Sequence, residues 1–237
     1  MAESMSNLFT KGGKKGDILW AMAVCHKLWR DTGEKTDFVC FRGNDAVLPL
    51  IRQQPYIELA FSEPNWFENG CMMPARFEHY RKIRRGDYRR FPDKPLPLFI
   101  CEMAGVSPDG IGGPWIFPKT GAVSHEPYVA YAWNSLHQPV KVKFTEDLGK
   151  LSQWQFVDVT KYPWEEAATI IQKAAAFIGC RSANYVLAHA VGQKNVIVFE
   201  PEAPRLVSLF GCPWSRDSVV FTAESAATEL ERIWREQ

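Results

Sequence analysis

The sequence predicts an α/β protein built as two Rossmann-like domains facing a cleft. Strand and helix signals alternate in two separate series, and one Gly- and Pro-rich segment divides them. The composition can fill the cores this needs. Of 237 residues, 46% are hydrophobic and 23% charged, which excludes a disordered chain. Lys and Arg number 28 against 27 Asp and Glu, a net charge of +1. That balance argues against a general nucleic-acid coat protein but leaves room for a local basic site. No apolar run approaches the ~20 residues of a membrane span. The segment from Met1 to Asn7 lacks the apolar core of a signal peptide.

The first series opens with the strand Leu8-Phe9-Thr10, followed by the loop Lys11-Gly12-Gly13-Lys14-Lys15-Gly16. Asp17 then caps a helix to about Asp31, with Ile18, Met22, Cys25 and Trp29 at three- and four-residue spacing and Gly33 as its stop. Asp37 to Phe41 reads as a strand, Asp45 to Arg52 as a short helix and Ile57 to Phe61 as a third strand. This order implies a parallel sheet with right-handed crossovers.

Residues 62–95 carry aromatics and charges with little periodicity, and Leu96 to Gly105 fits a strand or a helix. Ser107 to Pro127 is the candidate interdomain linker. It divides the chain into domains 1–120 and 121–237. The second series has strands at Tyr128–Ala132, Gln155–Val159, Phe177–Cys180, Asn195–Phe199 and Val219–Phe221. Its helices are Pro163 to about Ala176, Ser182 to Val191 with Gly192 as stop, and Ala223 to Trp234.

Two loops can carry chemistry, and each leads from a strand into a helix. In the first, Gly16 lets a ligand approach the backbone, and Lys14 and Lys15 supply charge. It matches neither a Walker A loop nor GxGxxG. Asp17 has two compatible readings, a helix cap and a catalytic carboxylate. In the second loop, Ser182 and the N–H groups of Ala183 and Asn184 can hold a diphosphate, or Ser182 can be an ordinary cap. Arg181 can add positive charge there or pair with a carboxylate.

These segments together resemble the heptosyltransferase family of glycosyltransferases. Gly16-Asp17-Ile18-Leu19-Trp20-Ala21-Met22-Ala23-Val24 looks like the Gly-Asp segment that opens the family's N-terminal domain. Asp158-Val159-Thr160, the helix Trp164 to Ala176, Phe177 to Gly192 and Val196 to Pro201 resemble its C-terminal block. The resemblance implies the GT-B fold, with a nucleotide-sugar donor held mainly by the C-terminal domain and the acceptor by the N-terminal one. It makes Asp17 the general base. It makes Ser182, Ala183 and Asn184 the phosphate loop with Arg181 beside it, and Glu200 the ribose contact. Lys141 or Lys143 matches a phosphate-binding lysine. Arg181, Ala183 and Val186 stand where the family's loop usually has Asp, Gly and His. The donor's nucleotide and sugar do not carry over. The alternative is a degenerate GT-B-like binding protein without transfer activity.

The basic run from Arg76 to Lys94 reads as a solvated face or as a clamp for a polyanionic acceptor, a phosphorylated glycan or a modified nucleic acid. Arg84, Arg85, Arg89 and Arg90 are its candidate contacts, with Lys14 and Lys15. The five histidines show no metal-ligand spacing, and the six cysteines contain no CxxC. The expectation is therefore no metal, no resident cofactor, and free thiols in a cytoplasmic protein. No GxSxG supports a serine hydrolase. Trp20, Trp29, Trp164 and Trp234 read as packing residues; Trp66, Trp115 and Trp133 are weaker candidates for sugar stacking.

Overall fold

The computed structural model describes residues 7–11, 14–41, 43–63, 95–119, 126–133, 143–200, 211–214 and 217–236. Two parallel sheets form rather than one. The first contains β1 (Asn7–Lys11), β2 (Thr36–Phe41) and β3 (Ile57–Glu63) in the order β1-β2-β3. The second contains β4 (Tyr128–Ala132), β5 (Gln155–Asp158), β6 (Ala176–Gly179), β7 (Val196–Phe199) and β8 (Ser218–Val220) in the order β5-β4-β6-β7-β8. From β4 the chain steps outward to β5, crosses back to β6 and continues to β8. The direction reverses between β4 and β6, and ligands of open α/β sheets bind at the C-terminal strand ends beside such a reversal.

The helices are α1 (Lys15–Thr32), α2 (Leu48–Arg52), α3 (Leu96–Ala104), α4 (Lys143–Leu151), α5 (Trp164–Lys173), α6 (Ala183–Ala190) and α7 (Ala223–Arg235). Leu96 to Gly105 is therefore helical, ended by Gly105. Helix α4 was not foreseen: its sequence is polar except on one narrow face, where Leu148 is fully buried. The helix at α5 ends at Lys173, earlier than its apolar spacing suggests, because Ala176 already belongs to β6.

Helix α1 departs most from the amphipathic expectation. All residues from Ile18 to Cys25 are buried, not one stripe of them. A helix apolar on every face needs partners on every face. Here β1 and β2, α3 and α6 surround it. One core cluster accordingly draws on both halves of the chain, joining Ile18, Trp20 and Met22 to Phe177, Tyr185 and Leu187.

The Gly- and Pro-rich segment is built into this core where it is described. Val106, Ile111, Trp115 and Ile116 are buried. The backbone N–H groups of Trp115 and Ile116 both donate to Ala190 O at 2.9 Å. The Trp115 indole donates to Leu19 O at 3.0 Å, and the Tyr56 hydroxyl donates to Trp115 O. Trp20, Trp115 and Trp214 pack with ring centroids 5.6–5.8 Å apart. Trp115 is thus a core residue rather than a sugar platform. Trp133 is half-buried against Tyr131 and Phe199, and Trp66 lies outside the described residues.

Two glycines fix the ends of β6 and α6. Gly192 takes φ +75° and closes α6, with its N–H on His189 O and the Gln193 N–H on Ala188 O, the paired bonds of a Schellman stop. Gly179 ends β6 beside β4, where an added Cβ would lie 2.5 Å from Ala132 O. Backbone cannot yield there as a flexible side chain can. Gly179→Ala is expected to destabilise the protein by about 1–3 kcal/mol, the usual cost of overpacking. A denaturation midpoint matching the wild type would show that the β4–β6 contact is looser than described.

Candidate functional site

The two loops singled out in the sequence meet. Gly16 lies in the first turn of α1 and faces the first turn of α6. A Cβ at Gly16 would sit 3.5 Å from Ala183 Cα and from Val186 Cγ2, and 3.8 Å from Ala183 N. Further along, Trp115 bridges Leu19 of α1 and Ala190 of α6. The first turns of the two helices are in contact, which brings their N-termini together. Each end leaves its first N–H groups without intrahelical acceptors and carries about half a positive charge. Two such ends at one place favour an anion more than either alone.

Asp17 follows Gly16, its Cα about 3.8 Å further along the chain. It is not the cap itself. The cap of α1 is Lys14, three residues earlier than the sequence suggests, and Asp17 occupies the third helical position, its carboxylate accepting the Lys14 backbone N–H at 3.1 Å. This half of a capping box holds the carboxylate at the helix end. Lys14 is exposed, and Lys15 Nζ lies 5.9 Å from the Trp164 ring centroid at the start of α5. The turn before α5 carries Lys161, exposed and 3.8 Å from Asp158 Oδ2. Sequence reasoning passed over Lys161; the signal was a lysine three residues past the C-terminal end of β5.

Ser182 stands at the cap position of α6 with an extended backbone, and its C=O accepts the Val186 N–H. Its hydroxyl makes no cap bond: Oγ is buried without a protein partner. A buried polar atom left unpaired costs about 1–3 kcal/mol unless something satisfies it. Ala183 and Asn184 are the first two residues of α6. Ser182, Ala183, Asn184 and Asp17 are thus brought to one place, beside the β4–β6 reversal.

Arg181 takes the second of its two readings and pairs with carboxylates. Its guanidinium is 4% exposed and donates to Glu200, which is 2% exposed. It also donates to Tyr185 Oη at 2.9 Å and to Asp217 Oδ2 at 3.3 Å. Tyr185 in turn donates to Asp217 at 2.7 Å and accepts the Cys212 N–H at 2.9 Å. His189 Nε2 lies 2.9 Å from Asp217 Oδ1. Burial works against a charged His189, but Asp217 and Cys212 outweigh it and raise its pKa to about 9. The cluster then holds Arg181 and His189 against Glu200 and Asp217, a neutral sum. Arg181, two residues ahead of α6, and Tyr185 and His189 within it recur at four-residue spacing, a polar pattern visible in the sequence. Asp217 could not be assigned to it without the fold.

Lys141, Arg84, Arg85, Arg89 and Arg90 lie outside the described residues, and of Lys143 only its place at the start of α4 is given. Cys25, Cys40, Cys101, Cys180 and Cys212 are free and buried, as expected. Among the described residues no helix is long and apolar enough to cross a membrane.

No family model and no curated protein sequence matches this chain. Solved structures do. A glycosyl transferase family 9 structure from Veillonella parvula matches with a TM-score of 0.67 at 10% identity, covering 98% of both chains. The iron-containing dodecameric glycosyltransferase TibC from enterotoxigenic E. coli gives 0.65 at 13% identity, covering 98% of this chain and 76% of that one. The E. coli heptosyltransferase WaaC, solved with ADP-2-deoxy-2-fluoro heptose, gives 0.60 at 11% identity, covering 96% and 99%. The chain therefore has, over nearly its whole length, the fold of glycosyltransferase family 9 and heptosyltransferase structures, as the Gly16-Asp17 and Ser182 segments implied.

Proposed function

We propose that this protein is a glycosyltransferase that moves a sugar from a nucleotide-sugar donor to a hydroxyl acceptor. The observation that carries the reading is the meeting of α1 and α6 at Gly16 and Ala183, which puts a carboxylate beside two helix N-termini. The donor's diphosphate binds the N–H groups of Ala183 and Asn184 and the unpaired Ser182 hydroxyl. Asp17 takes the proton of the acceptor hydroxyl as its oxygen attacks the anomeric carbon. The bond to the leaving phosphate breaks as the helix ends and nearby lysines stabilise the departing charge, a scheme that uses no metal. Lys161, Lys14 and Lys15 are among the described cations at this edge; Lys141 is a further candidate. The fold supports the reading by analogy, and WaaC was solved with a nucleotide-sugar analogue.

In this scheme domains 1–120 and 121–237 face each other across a cleft, with the acceptor on the N-terminal side. Arg84, Arg85, Arg89 and Arg90, with Lys14 and Lys15, receive an acceptor that bears phosphate, a glycan or a modified nucleic acid. Buried free thiols fit a cytoplasmic setting. The second reading, a binding protein without transfer activity, draws on one observation: Glu200, the expected ribose contact, is occupied by Arg181. Incubation with a panel of nucleotide sugars separates the two. Release of nucleoside diphosphate at a rate that depends on Asp17 supports the transferase; stoichiometric binding with no release from any donor supports the binding protein.

A further inference from the structure

We infer that Arg181 is a positioning residue for the donor loop and does not itself touch the donor. The inference rests on reading Ser182, Ala183 and Asn184 as that loop. Arg181 immediately precedes Ser182, yet its side chain turns inward, away from solvent. Its fork is held at three points. Glu200 follows the end of β7, and its own N–H is fixed on Val220 O at 3.0 Å. Asp217 precedes β8, and Tyr185 stands in the first turn of α6. The loop is thereby tied to β7, to β8 and to the helix it opens. A guanidinium already matched by two carboxylates brings no net charge to a phosphate. Its contribution is geometric: planar donors fix direction as a flexible ammonium cannot. Buried ion pairs add little net stability compared with well-packed apolar residues, so stability alone does not account for four ionisable groups under one loop. Glu200, held in the same pair, serves the loop and not the ribose.

The charge count supplies the test. In Arg181→Met with Glu200→Leu, one positive and one negative charge leave together, and Asp217 stays paired with His189. Arg181→Met alone leaves a buried carboxylate uncompensated and lowers the unfolding midpoint. The double variant is expected to recover the midpoint, while calorimetric affinity for ADP, GDP or UDP, whichever the wild type binds, stays at least tenfold weaker. Wild-type affinity in the recovered double variant would overturn the inference and leave the donor site intact. Where the double variant does not recover, Arg181→Lys decides. It keeps the charge and loses the fork, so the inference requires weaker nucleotide binding in a folded protein, and unchanged affinity refutes it. A wild type that binds none of the three nucleotides removes the donor-site reading and this inference with it.

Discussion

Asp17→Asn is expected to lower sugar transfer by ~10²–10⁴-fold, the usual worth of a positioned general base. The fold should survive. The Asn carbonyl oxygen can still accept the Lys14 N–H that Asp17 accepts at 3.1 Å, so the helix end keeps its bond. Stability should change by less than about 1 kcal/mol. Asp17→Ala loses the base and the bond together, adding a stability loss of about 1 kcal/mol to the loss of activity. Transfer rates and urea midpoints on the same preparations separate the two roles. An Asn variant that transfers at the wild-type rate would leave Asp17 as a helix-end residue only.

The second large effect lies in the buried cluster. Removing one partner of a buried ion pair leaves the other uncompensated, so Asp217→Asn should destabilise the protein by about 3 kcal/mol near neutral pH. The same contact gives a pH dependence. His189 has its pKa raised from 6.5 to about 9 in the folded protein. A raised histidine stabilises the fold fully below pH 6.5, and the contribution is lost as pH rises through 9. At about 1.4 kcal/mol per pKa unit the loss amounts to about 3 kcal/mol. Denaturation of the wild type at pH 6.5 and 9.5 should show that loss, and Asp217→Asn should flatten it. Equal slopes in the two proteins would place the titrating group elsewhere.

Local signals made most of the strands and helices readable. Period, glycine stops and cap residues are short-range properties, and β2, β7 and α7 follow them closely. Helix α1 shows where that reasoning ends. Its three- and four-residue spacing predicts a face, but the burial of Leu19, Ala23 and Val24 as well requires partners on every side, and two of those that surround the helix, α3 and α6, are distant in sequence. The Gly- and Pro-rich stretch read as a linker because composition reports backbone freedom and not packing; Trp115 and Ile116 are anchored by Ala190.

At the site, the Gly16-Asp17 and Ser182-Ala183-Asn184 loops were each visible as a strand-to-helix turn. Their contact was not, because nothing local to Gly16 encodes Ala183. Arg181 illustrates the same limit. Its charge beside a candidate phosphate loop suggested a ligand contact, and only the positions of Glu200 and Asp217, supplied by β7 and β8, turn it inward.

The transferase reading places a diphosphate where α1 and α6 begin. Calorimetric titration of nucleoside diphosphates into the wild type and Ser182→Asp tests it most directly. The wild type should bind, and Ser182→Asp should lose well over tenfold in affinity, since the new carboxylate would face the diphosphate at short range. Ser182→Ala, which only loses a hydroxyl, should weaken binding by about 1 kcal/mol. Equal affinity in wild type and Ser182→Asp would contradict the claim and place the nucleotide elsewhere.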